Sequence, residues 1–446
     1  MKRQQCMNKM KVTLCAIITI LAIPATVRAT DWPQWRGPFF NGSTDETNLP
    51  DSWGETENVA WVSPLPGPSG ATAIISKGKV FVTSMVGRGP GFVALCFDAK
   101  DGRELWRRQA GSDSRRLPRN NMASPSPAAD GKRVFFFYAG GDLVGFDYDG
   151  NKLWSRNIET EYGNLALQFG YSSSPLLYAN KLYVIAIRRN KPYRRPKAEE
   201  PLDSFVMAIN PENGKTIWKQ QRTTDAFDEG METYSTPIPF VRDSRTEILN
   251  TGGDFVTAHD PGTGKELWRF EYWTRKIRDS RIIPSLVIGD GLIFGTRHKH
   301  GKVYALKPGS AENPSQACIV WEFDGPSPDC STPLYYQNRL YVLNGARSGK
   351  PVTCLDPKTG SRIWQGKIGA AEAHGELRSP APTASYTVSM KPEKSWCWTP
   401  PAMSSKSSSK PKQTRLPSSP QYPSPTATCL SARQKIFTAS ANRENS

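Results

Sequence analysis

Short apolar runs recur along the chain, each preceded by a turn signal. Lys79-Val80-Phe81-Val82, Arg133-Val134-Phe135-Phe136, Lys181-Leu182-Tyr183-Val184 and Arg339-Leu340-Tyr341-Val342 are the clearest. β-Branched and aromatic residues of this kind, bounded by Asp130-Gly131, Asn180 or Asp290-Gly291, predict half-buried or buried strands. Ser124-Pro125, Ser174-Pro175, Thr236-Pro237 and Thr332-Pro333 stand upstream and open further strands. No stretch between them sustains a helical period, so the body is all-β.

A longer period overlies the short one. Trp61, Trp106, Trp154, Trp218, Trp268, Trp321 and Trp364 follow one another at intervals of 45, 48, 64, 50, 53 and 43 residues. That is the length of a four-stranded blade in a β-propeller. Asp98…Gly102…Trp106, Asn210…Gly214…Trp218, Asp260…Gly264…Trp268 and Asp356…Gly360…Trp364 share identical offsets, and Asp147…Gly150…Trp154 is one residue shorter. Asp or Asn starts a turn by bonding its own backbone, and Gly takes the positive-φ position. The following strand then delivers the indole. The unit before Trp321 is degenerate, with Lys307-Pro308-Gly309 in place of the turn. Each unit must cover its faces with its neighbours, and each buried indole should contribute about 2–3 kcal/mol.

These motifs resemble the tryptophan-docking repeat of pyrroloquinoline-quinone-type propellers, and BamB-like exported bacterial proteins among them. The opening Asp31-Trp32-Pro33-Gln34-Trp35-Arg36-Gly37-Pro38 is similar to the start of exported members of that group. The resemblance spans about residues 31–379. It implies a propeller of seven or eight four-stranded blades, of which about six are complete in this sequence. It also implies a non-catalytic scaffold for proteins or envelope polymers. The alternative from the same resemblance is a quinone- and Ca²⁺-dependent alcohol or sugar dehydrogenase. The absence of adjacent cysteines argues against it, because alcohol-oxidising members hold the quinone on a vicinal disulfide.

Charge changes the picture less than its total suggests. The net value is +17, but residues 1–29 carry five Lys and Arg with no acid, and residues 380–446 carry nine against two acids. The 350-residue body keeps only +5, an ordinary surface, so no nucleic-acid partner is expected. Basic residues ahead of an apolar run from Val12, then Val27-Arg28-Ala29, predict a signal peptide cleaved near Ala29. A periplasmic or secreted monomer with no transmembrane segment is therefore expected. Cys96 and Cys354 occupy equivalent places in two repeats and read as small buried residues. Cys318 and Cys330 are the near neighbours placed to oxidise in an exported protein.

The expected organisation is a leader at 1–29, an N-terminal extension at 30–58, repeats at 59–379 and a Ser/Pro/Lys-rich tail at 380–446. Residues 379–446 contain neither Gly nor Asp, and 25 of the 68 are Ser or Pro. A chain without both turn residues cannot continue this repeat. The segment reads either as a disordered tail or as a reading-frame shift near Ser379–Ser385, whose restored frame would supply further propeller strands. In that case Val59–Val62 would close the ring as a strand beside the last unit.

No catalytic, cofactor-binding or metal-binding residue is expected. His298 and His300 flank Lys299 with no third ligand in view and read as exposed turn residues. The long interval before Trp218 marks an insertion holding Arg188, Arg189, Arg194 and Arg195, which reads first as a solvated loop between strands and second as a basic surface for an acidic protein, polysaccharide or anionic lipid. The tryptophans and the glycines Gly102, Gly150, Gly214, Gly264 and Gly360 are expected to act as blade-docking residues.

Overall fold

The computed structural model describes residues 31–45, residues 59–367 with short internal interruptions of which 190–201 is the longest, and Cys429–Leu430. The leader, most of the tail, His298, His300, Arg194 and Arg195 lie outside the described residues.

Six four-stranded antiparallel sheets follow one another in chain order, each a simple meander. Blade 1 is built from Ile74–Ser76, Lys79–Met85, Phe92–Asp98 and Glu104–Gly111. Blade 2 comprises Ala128–Ala129, Arg133–Phe137, Asp142–Asp147 and Lys152–Asn157, and blade 3 Leu176–Tyr178, Lys181–Ala186, Phe205–Ile209 and Thr216–Gln221. Ile238–Arg242, Arg245–Gly252, Phe255–His259 and Glu266–Glu271 make blade 4. Blade 5 runs through Val287–Gly289, Leu292–Thr296, Val303–Lys307 and Cys318–Phe323, and blade 6 through Leu334–Tyr336, Arg339–Leu343, Pro351–Leu355 and Arg362–Lys367. This is a β-propeller. One α-helix, Ile158–Tyr162, occurs among the described residues; Asn157 caps it by accepting from the Thr160 amide.

Every blade has its second and third strands buried and its fourth strand at the rim. The short first strands line the axis. Stacking neighbouring sheets buries both faces of the middle strands, which is why they read as continuous apolar runs rather than as alternation. Phe81, Phe92, Phe135, Phe136, Phe137 and Phe205 are all wholly buried between blades 1, 2 and 3.

The fourth strand pairs with the third through a register shift at one equivalent place in all six blades. Directly opposite each tryptophan stands a small residue: Cys96, Gly145, Ala208, Ala258, Ala305 and Cys354. A larger side chain there would occupy the space the indole covers. Cys96 and Cys354 are buried, and burial pushes their thiols up to about 12 and about 11, so they act as small apolar residues.

Two expectations change. Val59–Val62 is not a strand; the strand is Ser63–Pro64, paired antiparallel with Leu430 and Cys429. No disulfide joins Cys318 to Cys330. Cys318 is exposed on the rim strand of blade 5, whereas Cys330 lines the axis.

Candidate functional site at the propeller axis

Blades are joined at the rim by the tryptophans. The Trp61 indole N–H donates to the Ala99 carbonyl, Trp106 to Tyr148, Trp154 to Pro211, Trp218 to Pro261 and Trp321 to Pro357, at 2.8–3.1 Å. In each case the acceptor is the residue after the Asp or Asn that starts the turn. Gly102, Gly150, Gly214, Gly264 and Gly360, all with φ between 71° and 80°, lie under the indole of the preceding unit. A Cβ on Gly214 would stand 2.6 Å from the Trp154 ring. Glycine is therefore required twice over at this position, by its backbone and by the ring above it.

Trp268 departs from the rule. The next unit is the degenerate one and offers no such carbonyl, so the indole donates 2.7 Å to Glu247 of its own blade. The Glu247 carboxylate is fully buried and also accepts from Arg242 and Arg245. Arg242 in turn donates to the carbonyl of Gly309 in the degenerate turn. An ionic cluster thus replaces the missing hairpin. Trp364, in the last blade, is 36% exposed.

At the axis a second ring joins the blades. The backbone N–H of Thr72 donates to the Ser126 hydroxyl, Ser126 to Ser174, Ser174 to Thr236, Thr236 to Ser285 and Ser285 to Thr332, at 2.8–3.0 Å. Each of these residues stands two positions ahead of the first strand of its blade. A Ser or Thr at that spacing is visible in all six units. In the second unit it is Ser126 and not Ser124 that joins the ring, because the Ser-Pro pair is doubled there.

The N-terminal segment crosses the axis as a strap. Trp32 pairs with Ile75 of blade 1, and the Pro33 carbonyl accepts from Ala129 of blade 2. The Gln34 amide exchanges two hydrogen bonds with Leu177 of blade 3. Arg36 then donates to the Pro333 carbonyl of blade 6 and to Asn41. The strap therefore ties the first blade to the sixth where the hydroxyl ring stops. Between strap and ring lies a small cavity, partly open to solvent, lined by Trp35, Arg36 and two layers of residues at the starts of the innermost strands. Burial pulls the Arg36 guanidinium down to about 9. The lining contains no carboxylate and no carboxamide.

A family model described as outer membrane protein assembly factor BamB matches residues 44–192 and 252–394, more than half of the chain. The chain belongs to this family. Among solved structures, this BamB-family chain is similar to BamB from Moraxella catarrhalis, with 18% identity and a TM-score of 0.43 over 64% of this chain and 72% of that one. It is also similar to the quinohemoprotein alcohol dehydrogenase from Comamonas testosteroni, with 12% identity and a TM-score of 0.42 over 77% and 74% of the two chains. No curated protein sequence matches it.

Arg188 and Arg189, the two described arginines of the basic insertion of this BamB-family member, turn inward. Arg188 is buried, and its guanidinium donates to the carbonyls of Tyr162, Gly163, Asn164 and Asp203. It closes the C-terminal end of the helix rather than reaching for a partner. Arg189 is half-buried and donates 2.6 Å to Glu232 and 2.8 Å to Gln168. The Glu232 carboxylate has no exposure, and burial raises its pKa above the usual range despite Arg189 and the Tyr234 hydroxyl. Among the described residues, no group of three His, Cys, Asp or Glu side chains could hold a metal ion. No helix of the described residues is long and apolar enough to cross a membrane.

Proposed function

We propose that the protein is a non-catalytic propeller of the cell envelope, exported by cleavage near Ala29, that presents its loops to other proteins or envelope polymers. The axis carries this reading. Small molecules bind most readily where a fold converges on a concave space, and here the chain's own strap fills one end of that space. Hydroxyls, an indole, a guanidinium and a thiol line what is left. Calcium takes six to eight oxygen ligands, with carboxylates and carbonyls dominating, so this lining does not fit a Ca²⁺-bridged quinone. The family's printed description, an outer membrane protein assembly factor, supports proteins as the partners.

The test is direct. The purified exported chain is incubated with pyrroloquinoline quinone and Ca²⁺, then assayed for dye-linked oxidation of alcohols and sugars. No turnover and no quinone absorbance retained after gel filtration are expected. Turnover overturns the reading and favours the dehydrogenase.

A further inference from the structure

The axial ring has a polarity that assigns it a ligand. Each hydroxyl of Ser126, Ser174, Thr236, Ser285 and Thr332 accepts a backbone N–H from the preceding blade. An oxygen already accepting keeps its own O–H to give, and among the described residues none of these five hydroxyls donates to a protein acceptor. Five O–H donors therefore converge on one cavity. Arg36 bounds the same cavity and is more than nine-tenths buried. Its Nη2 is taken by the Asn41 and Pro333 carbonyls, while its Nε has no partner. The Ser172 hydroxyl, also lining the cavity, is buried and unpartnered as well.

No carboxylate among the described residues forms an ion pair with Arg36, and none lines the cavity. A buried charge without a counter-charge is costly, and a water molecule in the cavity would leave it uncompensated. We propose that the cavity binds one small monovalent anion, a halide or the carboxylate of a short acid, held by the Arg36 guanidinium and the hydroxyl ring. A phosphate or sulfate dianion brings two negative charges to one cation, which a halide or a carboxylate does not. The anion neutralises the residue that fastens the strap to blade 6, so strap closure and anion binding are linked.

The full exported chain is placed in HEPES at constant ionic strength and titrated separately with chloride, bromide, formate, acetate and phosphate. Tryptophan fluorescence, with Trp35→Phe as the control, and melting temperature are followed. A saturable response with a rise in Tm is expected for halides or for the short carboxylates, and the two arms say which. Arg36→Gln should weaken binding at least tenfold. Because that variant also releases the strap, Ser172→Ala provides a second reading, with about a fivefold loss. Crystals soaked in bromide should show an anomalous peak between Arg36 and the ring. The proposal is overturned if no anion gives a saturable response, if only phosphate does, if Arg36→Gln binds as tightly, or if bromide occupies the outer surface alone.

Discussion

The blade 2–blade 3 and blade 4–blade 5 junctions do the same work with different chemistry. At the first, Trp154 lies on Gly214 and donates to the neutral carbonyl of Pro211 across the junction. At the second, Trp268 turns back to the buried Glu247 carboxylate, and Arg242 spans the junction to Gly309. The first depends on shape and a backbone turn. The second depends on charge, after the turn that the repeat would have supplied has been lost. A repeat protein thus tolerates loss of its docking hairpin when a neighbouring strand provides a buried acceptor and cations to balance it.

The comparison can be broken from either side. Trp154→Ala should cost the most, about 4 kcal/mol, by removing the ring that fills a junction between two well-packed blades; urea unfolding of the full chain measures it. Glu247→Ala should cost about 3 kcal/mol, because Arg242, Arg245 and the Trp268 N–H all lose their acceptor. Should Glu247→Ala prove neutral, the ionic cluster is not what holds blades 4 and 5 together.

A pH contrast belongs to the blade 3–blade 4 junction, where His259 bonds the carbonyl of Gly264, the glycine beneath Trp218. Burial lowers the His259 pKa from 6.5 to about 4. The unfolded chain therefore binds the proton more readily between those values. Stability is full above pH 6.5 and is lost as pH falls toward 4, by about 3 kcal/mol from this group alone. His259→Gln should flatten that window in urea midpoints taken at pH 7.5 and 4.5.

The smallest effect sharpens the comparison most. Trp268→Phe should cost about 2 kcal/mol, since it removes a bond to a carboxylate, while Trp218→Phe removes a bond to a neutral carbonyl and should cost about 1 kcal/mol. Equal costs would mean that the two junctions are energetically alike.

Much of the fold was legible because its signals are local. The turn from Asp356 to Gly360 and the delivery of Trp364 fall within nine residues, so spacing alone exposes them. The place of Cys96 opposite Trp106 was half legible, as a shared position without the reason for it. The axial ring was not, because its bonds join residues 47 to 62 positions apart. The Ser-Pro pairs marked strand starts without showing that hydroxyls meet. Arg188 misled for a related reason: a run of arginines reads as a solvated loop until burial shows which members of it turn inward. Replacement of the lost hairpin by Glu247 was equally hidden, since nothing in a single carboxylate on a strand declares its partners.

The axial ring has a direction. Every blade from the second to the fifth gives one N–H to its successor and takes one from its predecessor through a hydroxyl. A unit that gives on one side and takes on the other leaves the sum unchanged when it is copied. Duplication of a blade could therefore lengthen the array without stranding a polar group at the centre, and deletion could shorten it on the same terms. The part of the circle that needs chemistry of its own is the seam where counting begins and ends, and there the chain has laid its own N-terminal segment across the opening.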